Sequence, residues 1–94
     1  GGSMLTLHRM VDGKVEALEF LVTEDTHYLG KTLLEITLKS NILIACINRS
    51  GKILIPNGET TIELDDTVIV VTTADRPINT LNDIFQENPM QSLL

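Results

Sequence analysis

The chain reads as a small α+β domain, a sandwich-like β-sheet carrying two short helices. Three observations predict it. Two apolar runs, "ILIACI" (Ile42–Ile47) and "TVIVVTT" (Thr67–Thr73), have strand length and are rich in β-branched residues. The turn dipeptides Asp12-Gly13, Ser50-Gly51 and Asn57-Gly58 break the chain at short intervals. Two apolar stripes, Leu29/Leu33/Ile36 and Ile78/Leu81/Ile84/Phe85, recur near the helical period.

In chain order, "LTLHRM" and "KVEALEFLV" flank Asp12-Gly13, which predicts a hairpin. Leu18, Phe20 and Val22 give its second strand one buried face. A helix follows, capped by Asp25 or Thr26 and ending near Thr37; Gly30 interrupts it or delays its start to Lys31. Ile42–Ile47 is apolar on both sides, which predicts a central strand covered on both faces. Ser50-Gly51 turns into the strand "KILIP", and "TTIEL" alternates as a further strand with Ile62 and Leu64 on one face. "TVIVVTT" is expected to be a second strand covered on both faces. Asp75 caps a closing helix with Pro77 in its first turn. Gly1–Ser3 reads as an expression scar and 4–14 as a lead-in strand or linker from an upstream domain. Residues 15–86 form the domain, and 87–94 a tail without a pattern.

Ninety-four residues allow one core, and with aromatics at only 3% that core must be aliphatic. Cys46 is the single cysteine, so no internal disulfide or multi-cysteine zinc site forms. That usage points to a reducing, cytoplasmic setting. Mid-strand, the thiol is expected to be buried and inert. A formal net charge of −6 argues against nucleic acid and against anionic lipid. The longest apolar run is six residues, too short to enter a bilayer as a span, and no signal peptide is visible.

The chemical candidates are few. Asp65 and Asp66, with His27, are the only group that suggests a small hydrolase or a metal enzyme. Adjacent residues point apart, however, and an Asp-Asp pair before a strand is the composition of a turn. His8, His27 and Cys46 have no sequence context for nucleophilic catalysis, and the glycines make no phosphate-binding pattern. The expectation is a non-enzyme with no catalytic or metal-binding residue.

The ordered set "LGKTLLEITL", "ILIACINRSGKILIPNGETTIELDDTVIVV" and a closing helix resembles the TrkA-C (RCK-C) domain, the C-terminal regulatory domain of bacterial potassium-transport regulators. The matching positions are Leu29-Gly30-Lys31-Thr32-Leu33, Arg49, Gly51, Ile55-Pro56, Gly58-Glu59-Thr60 and Leu64-Asp65-Asp66. The resemblance runs from about Val15 to Phe85, and "LHRMVDGKVEALEF" is similar to the segment joining the halves of such a subunit.

This resemblance implies a TrkA-C fold and a regulatory, ligand-sensing homodimer. It implies a partner too, a membrane potassium transporter subunit contacted through the full-length protein, which would place the domain peripherally on the cytoplasmic side. The nucleotide-binding half of such proteins carries a Gly-rich fingerprint that is missing here, so this domain is expected to hold no ATP, ADP or NAD and no cofactor of its own. Some family members bind cyclic di-AMP between two domains. The positions matching that cleft are Leu33, Leu34, Lys39, Ser40, Asn41, Ile42, Leu43 and Pro56, with the leucines against adenine and Lys39 near phosphate. Similar domains are also fused to other transporters and to transcription regulators, and an assembly module without ligand remains a separate expectation.

Overall fold

The computed structural model describes residues 2–87. Five antiparallel strands form one sheet: β1 (Ser3–Met10), β2 (Val15–Leu21), β3 (Ile42–Arg49), β4 (Lys52–Leu54) and β5 (Thr67–Thr73). Their spatial order is β1-β2-β5-β3-β4. The predicted hairpin forms, with β1 paired to β2 from Ser3↔Leu21 to Met10↔Val15. Its connection bends through Asp12 and Gly13, both at positive φ, with the Lys14 N–H donating to the Val11 carbonyl. The β3–β4 hairpin turns through Ser50 and Gly51, again both at positive φ, the geometry whose twist matches paired strands. Ser3, read as part of a scar, opens β1. Of the tail 87–94, positions 88–94 lie outside the described residues.

One face of the sheet carries the core. Leu18 and Phe20 of β2, Val68 and Val70 of β5, and Ile44 and Ile47 of β3 are buried there. Val22, Ile36, Ile62, Ile78, Leu81, Ile84 and Phe85 pack over them from the connecting segments. Each such side chain contributes about 1.5–3 kcal/mol on burial, and together they drive the fold.

The two predicted helices are not present among the described residues. In their place stand two short 3-10 turns, Leu33–Glu35 and Leu81–Ile84. The backbone shows why. Tyr28 and Gly30 sit at positive φ. The N–H groups of Gly30, Leu33 and Leu34 then donate sideways to the carbonyls of Ile62, Thr60 and Gly58, at 3.0, 2.9 and 2.9 Å. Those donors are taken, so no i to i−4 ladder starts. The second stripe behaves alike: Lys39 donates to the Ile84 carbonyl, and Gln86 donates to that of Thr37. Leu29, Leu33 and Ile36 still turn toward the core, so the stripe marks burial without helix. Thr32 and Thr80, not Asp25, Thr26 or Asp75, precede the turns. Both donate backbone N–H groups to the carboxylate three residues on, Glu35 at 3.0 Å and Asp83 at 3.0 Å.

Two further expectations change. "TTIEL" makes only a one-residue bridge, Thr61 to Thr32, and while Ile62 is buried, Leu64 is exposed. Among the described residues, strands β3 and β5 bury one face, and the positions on the other are half-buried or exposed. Cys46 is accordingly half-buried rather than buried.

Asp66 is the most buried carboxylate, 1% exposed. Arg49, at the end of β3, grips it with two parallel bonds, Nε to Oδ1 at 3.0 Å and Nη2 to Oδ2 at 2.9 Å. The same Nη2 also donates to the Thr61 carbonyl at 2.9 Å, and the Glu63 N–H donates to Asp66 Oδ2 at 2.9 Å. Hydrogen bonding to Asp66 holds the Arg49 guanidinium above its already high ordinary value, against the opposing effect of burial. Asp65, at φ 70°, is the exposed hinge of the turn into β5.

Two outcomes follow from this packing. Asp66→Asn places an amide donor where Arg49 and the Glu63 N–H already donate. Urea unfolding should show a loss of about 3–5 kcal/mol, the usual cost of breaking a buried pair from one side; a loss below about 1 kcal/mol contradicts the clamp. The second outcome concerns acid. Burial pushes the Asp83 carboxyl up, but the N–H groups of Thr80 and Asn79, with the charge of Lys39, outweigh it and hold it below the ordinary 3.8. The Thr32 hydroxyl and N–H hold Glu35 below the ordinary 4.5. Depressed carboxylates stabilise the fold fully above their unfolded values and lose that contribution as pH falls toward the folded ones. The melting temperature should therefore be flat from neutral pH down to the ordinary carboxylate range and fall below it, less steeply in Asp83→Asn.

Candidate functional site

The site begins with the shortness of β4. It pairs only with Ile47, Asn48 and Arg49 of β3. Ile42–Cys46 therefore has β5 on one side and, among the described residues, no strand on the other. A groove of about 250 Å³ opens along this free edge. Leu43 and Ile44 form its strand side. Leu33, Leu34, Ile36 and Leu38 form the opposite wall, and Pro56, Asn57 and Gly58 close one end.

Local sequence explains each wall. The backbone donors of Leu33 and Leu34 are spent on Thr60 and Gly58, which fixes the leucine pair beside the Pro56-Asn57-Gly58 turn. That turn is stapled internally: Asn57 Oδ1 accepts from the Glu59 N–H at 2.9 Å, and the Asn57 N–H donates to Thr60 Oγ1 at 3.0 Å. Gly58 packs under Leu34, where an added Cβ would come to ordinary contact at 3.6 Å. Leu34 is 84% exposed and Leu43 61% exposed, an unusual outlay of apolar surface for water to wet.

Of the eight positions expected to bind ligand, the fold gathers four on this groove: Leu33, Leu34, Leu43 and Pro56. The other four lie elsewhere. Lys39 lines a separate hollow with His27, Tyr28 and Asp83. Ser40 accepts a hydrogen bond from Arg76 at 3.0 Å. Asn41 sits at positive φ, and its carbonyl accepts from the Thr73 N–H. Ile42 opens β3 opposite Thr72 and packs toward the core. Ile36, Leu38, Ile44, Asn57 and Gly58 are groove residues that the sequence reading left out. The Pro-Asn-Gly turn was visible as punctuation, but nothing local showed that it folds back on the Leu33-Leu34 pair.

Among the described residues, no charged side chain lines the groove. What it can do chemically is take up a flat or branched apolar group, with the Asn57 and Gly58 region supplying its polar edge. The carboxylate pair offers no comparable site. Both Asp66 oxygens are engaged by Arg49, and Asp65 faces solvent. His27 lies in the Lys39 hollow, away from Asp65, which lines a different one with Glu24 and Asp25. Among the described residues, no three His, Cys, Asp or Glu side chains gather as metal ligands, and no helix is long and apolar enough to cross a membrane.

Residues 17–86 match the TrkA-C domain family. The chain is similar to the Trk system potassium uptake protein TrkA homolog of Archaeoglobus fulgidus, with 37% identity over 73 residues, 78% of this chain and 16% of that protein. It is similar also to TrkA homolog 2 of Methanosarcina mazei, 30% identical over 69 residues, 73% of this chain and 15% of that protein. The Trk system potassium uptake protein TrkA of Azorhizobium caulinodans is 28% identical over 74 residues, 79% of this chain and 16% of its own length. The chain thus spans about a sixth of the length of these relatives. The matched stretch takes in both the groove and the Arg49–Asp66 clamp, and the chain belongs to the TrkA-C regulatory domain family.

Proposed function

We propose that this domain is the ligand-sensing, dimerising part of a potassium uptake regulator, acting without catalysis on a membrane transporter subunit through the rest of its parent protein. The apolar groove along the free edge of β3 carries the reading. An exposed leucine, Leu34, beside a stapled turn is a poor use of surface unless something covers it. The names of the relatives supply the transport system, and the net charge of −6 suits a soluble regulator on the cytoplasmic side better than one held on anionic lipid.

Cyclic di-AMP or another adenine nucleotide is the ligand class we propose. Adenine is flat and apolar on its faces, which matches Leu33, Leu34 and Pro56. The groove itself brings no cation to a phosphate, so the countercharge must come from a second copy or from Lys39 by rearrangement. A second reading, assembly without a small ligand, draws on that same lack of charge: an apolar side chain of a partner fills the groove equally well.

Isothermal titration separates the two. Cyclic di-AMP should bind at one ligand per two chains, with AMP and ATP as weaker controls. Leu34→Glu, at a position that adds little to the core, should abolish the heat while leaving the fold intact. A flat trace for every nucleotide on a folded dimer overturns ligand sensing here and leaves the assembly reading.

A further inference from the structure

The wall of the groove is also the place where the C-terminal segment leaves the fold. Phe85 bridges Leu38, and the Gln86 N–H donates to the Thr37 carbonyl at 2.9 Å. Ile36 and Leu38, on either side of Thr37, both line the groove. The bridge is antiparallel, so Gln86 and Glu87 head back along this wall, from Leu38 toward Ile36. Beyond Glu87 the sequence continues Asn-Pro-Met-Gln-Ser-Leu-Leu, positions 88–94. No side chain among these seven is charged, in a chain whose formal net charge is −6, and the stretch carries Met90, Leu93 and Leu94.

From this we infer that the chain's own tail is the resident occupant of the groove, with Leu93 and Leu94 set against Leu34 and Leu43 as a displaceable plug. The inference goes beyond the function proposed above and does not rest on the nucleotide reading. Reach favours it. Seven residues span up to about 23 Å when extended, and they start one residue from the groove wall. Size favours it too. At about 250 Å³ the groove lies below the roughly 300–1,000 Å³ of ordinary small-molecule sites and has room for a pair of aliphatic side chains. Chemistry agrees, because an uncharged segment enters an uncharged groove with no ion to desolvate, while the terminal carboxylate stays in water at the mouth, where Leu34 and Leu43 are exposed. Among the described residues no strand borders Ile42–Cys46 on the groove side, so an extended tail meets backbone groups there as well as side chains. The tether makes a modest contact sufficient. A short flexible link gives an effective concentration of about 1 mM, so a tail that binds only weakly as a free peptide still fills the groove in its own chain.

Methyl NMR on the whole chain reads the plug directly. Leu93→Asp/Leu94→Asp brings two charges to a groove that offers no partner. The buried core of the described residues ends at Phe85, so this variant should fold. The methyl signals of Leu33, Leu34 and Leu43 should move in the variant, and those of Val68 and Val70 should not. A peptide of the 88–94 sequence, titrated into the variant to millimolar concentration, should return the groove signals saturably toward their wild-type positions. The same peptide with both leucines replaced by aspartate should leave them unmoved. A plug in place nine-tenths of the time also weakens any competing ligand by about tenfold, and the variant should recover that factor wherever a ligand binds. Groove signals that coincide in wild type and variant overturn the plug. Wild-type signals that drift to the variant's positions on dilution overturn it as well and give the groove to a second copy. The methyl experiment contains no nucleotide, so its failure leaves the ligand reading intact, and a flat nucleotide titration leaves the plug intact.

Discussion

The clamp between Arg49 and Asp66 ties together parts of the chain that the sheet alone would not. Arg49 ends β3, and Asp66 immediately precedes β5. Through Nη2 the same guanidinium reaches the Thr61 carbonyl, and Asp66 Oδ2 holds the Glu63 N–H. The Asp66 carbonyl then accepts from the Val22 N–H at the end of β2, while the Asp65 N–H donates back to Val22. Three strand ends and one loop converge on a carboxylate. A buried carboxylate is costly unless every acceptor is used, and here both oxygens are. Neither a lysine nor an amide substitutes well, because the pair depends on the fork geometry of the guanidinium.

With the 61–63 loop fixed, the groove follows. The carbonyls of Gly58, Thr60 and Ile62 are presented in order to the Leu34, Leu33 and Gly30 N–H groups. The leucine wall is therefore built on a loop that the clamp anchors from below. The strand wall is built by omission, since β4 stops at Leu54 and, among the described residues, leaves Ile42–Cys46 without a strand on the side away from β5. A free apolar edge invites unwanted pairing. The β-bulge between Ile44 and Cys46 interrupts the regular spacing of that edge and bends it.

Sequence made some of this legible and hid the rest for definite reasons. Asp12-Gly13 and Ser50-Gly51 announced their hairpins because turn residues at positive φ have local chemistry, the first within a four-residue connection and the second as a two-residue turn. The strands were legible from branched apolar content. The helices were misread because Leu29, Leu33 and Ile36 record which side chains go inside, and burial does not reveal where the backbone donors go. Those donors go to carbonyls of the segment Gly58–Ile62, 24 to 32 residues later, a long-range choice. The double coverage of Ile42–Ile47 and Thr67–Thr73 was misread in a more instructive way. Composition does show that both faces are apolar; it does not say that one chain must cover both. Among the groove residues, Leu33, Leu34, Leu43 and Pro56 were reached through family resemblance, while Ile36, Leu38 and Gly58 required the fold.

The two unsatisfied apolar surfaces, the groove and the open face, meet at Leu43. Leu43 pairs with Val71 in the outward cross-strand row and also lines the groove, so one side chain, 61% accessible, serves both surfaces. A ligand shifts an equilibrium only by interacting differently with its two states. Under the proposed function, Leu43 is the residue at which groove occupancy and the covering of the sheet's outward face would have to differ.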